Sequence, residues 1–359
     1  MLLCSIFVSA EDTNSKNKWK FSITIEPVWM GVKGNDVQVG ETVKSIREII
    51  YEPEYSYDQT IVNEPIIIDM RNKLTLRMEA VYENDYLGWG GSIWWFNTKG
   101  TKNDTIYSPK DEQTLFGWTE YDNSVRFWNY NFKPGYNDLV ASGKSPVIFN
   151  AKNSLDIWMG EIFGSLVVSR YESNTITMLF GVQFGSMTNS REETITQENI
   201  WRSLYYSMDE RNSFANNVEA DYGLIFGPEF GFQQKARFKK ISLENTFKQS
   251  FLRSSVSHDG LLVATSHGFN SYEYNDEIRI SFSEKSTVTV PVTDVKFKVM
   301  VDVSKQFSVG LSGFASLWWN ARLASALVIE DYSPESASWL PQKSSLCFYG
   351  IAVSFTVHI

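Results

Sequence analysis

The chain has 359 residues, of which 43% are hydrophobic, 15% aromatic and 21% charged, and its formal net charge is −9. This hydrophobic content excludes a disordered chain, and the acidic balance leaves no basic stripe that could bind nucleic acid. No run approaches the ~18 consecutive apolar residues that a transmembrane helix requires. A membrane is still a possible environment, because a strand of a membrane barrel needs only about ten alternating residues.

The first ten residues resemble the end of a secretory signal peptide. An apolar stretch leads to a Ser-Ala pair and then to acidic, polar sequence, although the usual basic start is missing. We therefore expect residues 1–10 to be part of a longer signal and residues 18–359 to form the barrel domain; a short buried N-terminal strand is the alternative. Cys4 falls in this leader, which leaves Cys347 alone and excludes a disulfide-stapled fold.

The stretch KWKFSITIEPVWM, residues 18–30, alternates between apolar and polar side chains. Odd positions from Trp19 to Trp29 are apolar and most even positions are polar, which is the period of a strand with two unlike faces. Nine further runs share this pattern, and none has a charge at the centre of its apolar face. The ten predicted strands cover residues 18–30, 73–82, 87–97, 155–169, 176–187, 222–233, 238–251, 295–303, 307–319 and 349–359.

The connections between these strands alternate strictly in length. Short turns follow the even-numbered strands, at 83–86, 171–174, 233–237 and 304–306. Long polar stretches follow the odd-numbered strands, over about 34–72, 98–154, 188–221, 252–292 and 320–345. Short periplasmic turns and long extracellular loops are the rule in outer-membrane barrels, whereas a β-sandwich has no reason to place its long loops at one end. The sequence predicts an all-β, antiparallel transmembrane barrel of about ten strands in the outer membrane.

Aromatic residues mark the expected upper ends of the apolar faces. Such amphipathic rings prefer the headgroup level of a membrane, so we expect an interfacial girdle there. The predicted girdle residues are Trp29, Trp95, Trp158, Tyr222, Trp319 and Tyr349. Two further segments, 114–132 and 277–284, have strand character, and either extend hairpins above the membrane or raise the strand number to twelve.

The opposite face of each strand is expected to line the lumen. The predicted lumen residues are Lys20, Glu26, Lys73, Arg77, Glu79, Glu161, Gln183, Glu229, Lys240, Glu244, Lys248, Lys296, Lys298 and Asp302. Two interpretations are compatible with these residues: internal ion pairs that pack a narrow barrel, or arrays of opposite charge that set ion selectivity. Because the two signs nearly balance, the charges predict neither a cation nor an anion preference.

Sequence motifs for chemistry are absent. Three histidines occur, and the polar turn residues around His258 and His267 predict exposed loop tips, whereas His358 is expected to form a hydrogen bond in the lumen. No zinc-ligand spacing, P-loop or nucleophile elbow is present. We therefore expect no catalytic residue, metal or cofactor.

Several stretches resemble the pore-forming major outer membrane protein family of Gram-negative bacteria. They are NSLDIWMGEIFG (153–164), ITMLFGVQFGSMTNS (176–190), the run from 222 to 252 and FSVGLSGFASLWWNARLA (307–324). The resemblance extends from about residue 150 to the C-terminus, and it implies a single barrel that forms a passive pore without indicating the solute.

Partners follow from this expectation. They are outer-membrane lipid and lipopolysaccharide, and the barrel assembly machinery through the alternating C-terminal strand, where Ile359 replaces the more usual phenylalanine. The sequence leaves the oligomeric state open. The predicted function is passive diffusion of ions or small solutes; the alternatives are a plugged, structural or adhesin-like barrel and a secreted carbohydrate-binding β protein.

Overall fold

The structure, a computed structural model, contains eighteen strands in the described residues. The described residues are 19–34, 37–50, 56–107, 112–114, 117–127, 139–141, 146–171, 173–202, 207–270, 274–324, 326–329, 337–340 and 343–359. The expected signal peptide, 1–10, lies outside them. Numbered in chain order, the strands are β1 (Lys20–Lys33), β2 (Val37–Ile50), β3 (Ser56–Ile68), β4 (Lys73–Glu83), β5 (Leu87–Ile106), β6 (Glu112–Thr114), β7 (Gly117–Phe127), β8 (Leu139–Ala141), β9 (Val147–Tyr171), β10 (Asn174–Arg202), β11 (Ser207–Asp221), β12 (Ile225–Phe238), β13 (Ile241–Asn270), β14 (Tyr274–Asp302), β15 (Phe307–Arg322), β16 (Ala326–Ile329), β17 (Ala337–Leu340) and β18 (Lys343–His358).

An antiparallel ring of ten strand positions forms the barrel. The order round the ring is β1, β4, β5, β9, β10, then β11 with β12, then β13, β14, β15 and β18, and β18 pairs with β1 to close it. At the closure Ile25 lies opposite Phe355, and Phe21 and Ile359 exchange backbone hydrogen bonds. The predicted ten-stranded antiparallel barrel is confirmed. We call the end where β1 begins and β18 ends the lower end.

Strands β11 and β12 share one position in the ring. Both pair with β10 on one side and with β13 on the other, β11 along the upper part and β12 along the lower part. The chain leaves the strand between them at 222–224, where Gly223 has a φ of +52°. This left-handed conformation suits glycine because glycine has no Cβ, and it interrupts the alternation of the side chains.

The apolar faces of the ring point outward. Trp29 and Phe230 are each 58% exposed and Ile351 is 70% exposed, and most large side chains of the predicted apolar parity are exposed or half-exposed. Contact between so large an apolar band and water is unfavourable, whereas contact with the hydrocarbon of a bilayer is favourable. The outer surface therefore identifies a membrane-embedded barrel. Among the described residues no helix is long and apolar enough to cross a membrane.

Part of the wall rises far above the membrane. Strand β13 has 30 residues and strands β10 and β14 have 29 each, so each spans roughly 100 Å at about 3.4 Å per residue. A membrane crossing uses only about 9–11 of them. The long connections predicted at 188–221 and 252–292 are therefore largely strand, not loop. Outside the bilayer a strand needs no lipid-facing apolar side, so the backbone pairing between strands continues beyond the residues whose alternation predicted a membrane crossing.

Two smaller sheets accompany the ring. Strands β3, β2, β7 and β6 pair in that order, with β8 on β7, and β16 pairs with β17. The described part of the predicted segment 114–132 belongs largely to β7, whereas 277–284 lies in the upper part of β14. Neither segment adds a strand to the ring.

The lower turns are short, as the sequence predicts. At 84–86 the Asn84 side chain accepts hydrogen bonds from the backbone N–H groups of Tyr86 and Leu87. The turn predicted at 233–237 is wrong in position, because β12 continues to Phe238 and the chain reverses at Lys239, whose φ is +54°. Polar residues mark the exit from the bilayer rather than the end of the strand.

We predict that Phe297→Lys destabilises the barrel by about 2–4 kcal/mol, because this outward side chain lies between the two interfaces and a cation there loses its hydration. We call the upper parts of β9, β10, β11, β13 and β14, above the membrane, the upper extension. Ser283→Lys is the matched control, because Ser283 faces outward on the same strand as Phe297 but lies in the upper extension. Urea unfolding in lipid vesicles measures both free energies. Equal costs at the two positions would contradict the proposed depth of Phe297.

Candidate functional site in the barrel lumen

A cluster of charged side chains fills the lower lumen. Its members alternate with lipid-facing residues, as Lys296 and Lys298 flank the outward Phe297, and most are buried. We call this set the charged network. It comprises Glu26, Arg77, Glu79, Glu161, Glu229, Lys248, Asp294, Lys296 and Lys298.

Glu26 is the best-paired acid of the charged network. Lys296 Nζ lies 3.2 Å from Oε2 and Lys298 Nζ lies 3.8 Å from Oε1. The hydroxyls of Ser354 and Ser312 donate to Oε1 at 2.7 and 3.2 Å. Charge pairs and hydrogen-bond donors thus stabilise this buried carboxylate together.

Lys248 on β13 connects an acid on β9 with an acid on β12. Its Nζ lies 2.7 Å from Glu161 Oε2 and 3.1 Å from Glu229 Oε1. Glu161 also accepts a hydrogen bond from Ser92 at 2.8 Å. One ammonium group therefore serves two carboxyl groups, and only one of them receives an additional donor from a hydroxyl.

Arg77 and Lys296 join these groups into a continuous network. The Arg77 guanidinium lies 3.9 Å from both Glu26 and Glu161, and Lys296 lies 2.9 Å from Glu79. Removing one partner from such a buried network leaves the others without compensation. The lower lumen therefore contains paired charges from β1, β4, β9, β12, β13 and β14.

An apolar layer fills the lumen above the charged network. Phe348 is its centre, with the rings of Trp318 and Trp94 at centroid distances of 5.8 and 5.7 Å. The expectation of a polar lumen is wrong at this level, because both faces of the strands become apolar. Other members of the layer are Val28, Met30, Val32, Phe96, Leu155, Ile157, Met159, Met187, Leu252, Val256, Val288, Val290, Val292 and Leu346.

The end of β15 and the two residues after it cover this layer from above. Three of the four side chains in 321–324 are buried. The Arg322 backbone N–H donates to the Tyr222 hydroxyl, and the Ala324 N–H donates to Asn189 Oδ1 at 2.8 Å. These bonds fix the segment in the mouth of the barrel.

A small cavity lies at the level where the charged network meets the apolar layer. Its volume is about 40 Å³, and Arg77, Trp94, Gln183 and Phe314 are among its lining residues. One water needs about 10–15 Å³, so the cavity has room for a few water molecules and not for a larger solute.

The predicted lumen residues separate into two groups. The structure brings Glu26, Arg77, Glu79, Glu161, Gln183, Glu229, Lys248, Lys296 and Lys298 together inside the barrel. It places Lys20 and Lys73 at the exposed first positions of β1 and β4 and Lys240 in the exposed turn before β13, and it leaves Glu244 and Asp302 half-buried near the lower end. Sequence reasoning missed Asp294, although its inward parity on β14 was readable, and the hydroxyls of Ser92, Ser312 and Ser354.

Five of the six predicted girdle residues are exposed or half-buried. Trp29, Trp95, Trp158 and Trp319 are exposed on the outer surface, and the half-buried Tyr349 lies 6.0 Å below Lys33 Nζ.

Tyr222 is a correction to the predicted girdle. It is fully buried in the apolar layer. The break at Gly223 changes the parity, so Tyr222 points inward while Leu224 points outward.

A second buried polar cluster lies in the upper extension. Arg191 Nε is 3.1 Å from Glu193 Oε1, and Asn216 donates to Glu193 Oε2 at 3.1 Å. Asn189 donates to Asn153 Oδ1 at 3.0 Å. These contacts tie β9, β10 and β11 together inside the extension.

His258 and His267 correct the expectation of loop tips, because both lie within β13. His258 is buried. Burial lowers the pKa of His258 from its ordinary value of 6.5, because the charged imidazolium loses its hydration, and the positive charge of Arg322 lowers it further. His358 forms the expected hydrogen bond, 3.0 Å from Ser308 Oγ.

No protein-family model and no curated protein matches the sequence. Among solved structures, the chain is similar to the outer membrane protease OmpT from Escherichia coli, with 11% identity, a TM-score of 0.43 and coverage of 94% of this chain and 96% of that one. It is also similar to the Pseudomonas putida toluene transporter TodX, with 8% identity, a TM-score of 0.23 and coverage of 96% and 91%. A Pseudomonas aeruginosa FadL homologue has 8% identity, a TM-score of 0.21 and coverage of 95% and 90%.

These similarities are too weak to choose among the activities that those names describe. The strand ring, its outward apolar faces and its paired interior establish the chain as an outer-membrane β-barrel.

We predict that Glu26→Gln destabilises the barrel by about 3–5 kcal/mol, because it removes the buried carboxylate paired with Lys298 and one of the two carboxylates paired with Lys296. Glu192→Gln is the matched control: Glu192 also pairs with a lysine, Lys152, at 2.8 Å, but its side chain is half exposed, so a loss below about 1 kcal/mol is expected. Urea unfolding followed by tryptophan fluorescence measures both. A tolerated Glu26→Gln would argue against a structural role for the network.

We predict that acid loosens the upper extension through His258. Its folded pKa lies below the unfolded value of 6.5, so the stabilisation is present above that value and is lost as the pH falls through the folded pKa. Hydrogen exchange of β13 should rise with acidification in the wild type. His258→Gln should flatten this dependence, and an unchanged dependence in that variant would show that another group is responsible.

Proposed function

We propose that this chain is a closed outer-membrane barrel that supports a surface-exposed β-sheet extension, with a structural or adhesin-like role. The observation that carries this proposal is the filled lumen. Paired charges occupy its lower part, an apolar layer its upper part, and residues 321–324 its mouth.

The closure has two physically different parts. An ion passing the charged network must break contacts such as Lys248 to Glu161 at 2.7 Å and Lys296 to Glu79 at 2.9 Å. An ion passing the apolar layer must lose its hydration among side chains such as Phe348 and Trp318. Together these barriers favour the plugged barrel over the diffusion pore for ions or small solutes that the family resemblance implies.

The extension provides the surface on which such a protein can act. Its outer face carries cross-strand polar pairs, including Ser154 with Ser190 at 2.6 Å and Asn97 with Asp156 at 3.0 Å. A stiff, hydrophilic wall of this kind can present binding segments away from the membrane. The exposed apolar band argues against a secreted carbohydrate-binding protein, because such a protein would stay soluble without detergent.

Lipid and lipopolysaccharide are the proposed partners of the outer surface, and the barrel assembly machinery the proposed partner of β18. The girdle of Trp29, Trp95, Trp158 and Trp319 supports the former. The position of β18 at the ring closure supports the latter.

We predict that the purified wild-type protein, folded and inserted in a planar bilayer, gives no steady current. Heat modifiability on gels and protection of the strands from protease provide the control for folding and insertion. A steady, ohmic current from protein that passes this control would refute the closed barrel and restore the passive pore. Its reversal potential in a salt gradient would then report the ion preference.

A further inference from the structure

Glu229 differs from the other acids of the charged network. It is 0% exposed, and neither of its carboxylate oxygens accepts a hydrogen bond. Its contact in the network is Lys248 Nζ at 3.1 Å, and this ammonium lies closer to Glu161. A buried, ionised carboxylate with so few donors is strongly unfavourable.

The strands packed against Glu229 offer few additional donors. On β10 the opposite residue is Gly181, and the next inward residue is Gln183, whose Oε1 is buried without a hydrogen bond. On β13 the opposite residue is Ser250, whose hydroxyl is also buried without a partner. The further donors beside Glu229 are thus the Ser250 hydroxyl and the Gln183 amide, which are neutral and add no positive charge that could balance a second carboxylate.

The charge balance of the network also disfavours an ionised Glu229. Its cations are Arg77, Lys248, Lys296 and Lys298, and its acids are Glu26, Glu79, Glu161, Glu229 and Asp294. Five carboxyl groups against four cations leave one negative charge in excess. Inside a low-dielectric lumen such an excess is removed most simply by binding one proton.

We propose that Glu229 binds this proton and is a neutral carboxylic acid in the folded barrel. The proton comes from bulk water, and the neutral group donates its O–H to one of the surrounding acceptor oxygens. Lys248 then pairs with the Glu161 carboxylate as its principal partner. The proposal does not depend on whether the barrel conducts.

The bound proton determines how the stability of the folded barrel changes with pH. The unfolded chain releases the proton from Glu229 at neutral pH, whereas the folded barrel keeps it, so folding takes up a proton and stability falls as the pH rises. At alkaline pH the Glu161 and Glu229 carboxylates compete for one ammonium. The lower lumen is then expected to loosen.

Infrared spectroscopy of the reconstituted full chain tests the site directly. The wild type at neutral pH is expected to show the C=O stretching band of a protonated, buried carboxylic acid, and Glu229→Gln is expected to lose it. Glu192→Gln, which removes an exposed acid, should retain the band. Absence of the band in the wild type overturns the proposal, and so does its persistence in Glu229→Gln, which would place the proton on another acid.

The stability of the same two proteins provides a second, independent measurement. The thermal midpoint of the wild type should fall between neutral and alkaline pH, whereas that of Glu229→Gln should stay nearly constant over the same range. Because glutamine imitates the neutral acid, this variant is expected to fold as the wild type does. A parallel fall in both proteins would overturn the assignment to Glu229.

Discussion

Hydrocarbon on the outside of a narrow ring is the constraint on which this structure depends. Each membrane-crossing strand presents one face to lipid, so its charged residues near the middle of the bilayer must point into the lumen that ten strand positions enclose. Charges confined in such a space cannot keep their water and must be paired with one another. The charged network is a direct consequence of this geometry.

The same constraint explains why two kinds of closure follow one another. Where the inward side chains are charged, they form ion pairs and hydrogen bonds such as those of Glu26. Where the inward side chains are apolar, they pack as a small core around Phe348, which has aromatic contacts on three sides. In both parts, most of the side chains that fill the lumen belong to the ring strands of the wall.

The break between β11 and β12 links the wall with the mouth. The left-handed Gly223 turns Tyr222 inward, and the Tyr222 hydroxyl then accepts the backbone N–H of Arg322. The Tyr222 carbonyl also accepts a hydrogen bond from Ser254 on β13. One irregular residue in the wall thus positions the segment that covers the apolar layer.

The sequence by itself determined the strand number, the antiparallel barrel and the outward parity, because lipid must meet a continuous apolar face every second residue. It also identified most of the charged network, since a charge opposite such a face has nowhere to point except inward. Only the tertiary structure decided the height of the wall, the inward turn of Tyr222, the burial of His258 and the packing of the side chains that fill the lumen. These features depend on contacts between strands far apart in sequence and on backbone conformation, which a hydropathy pattern does not contain.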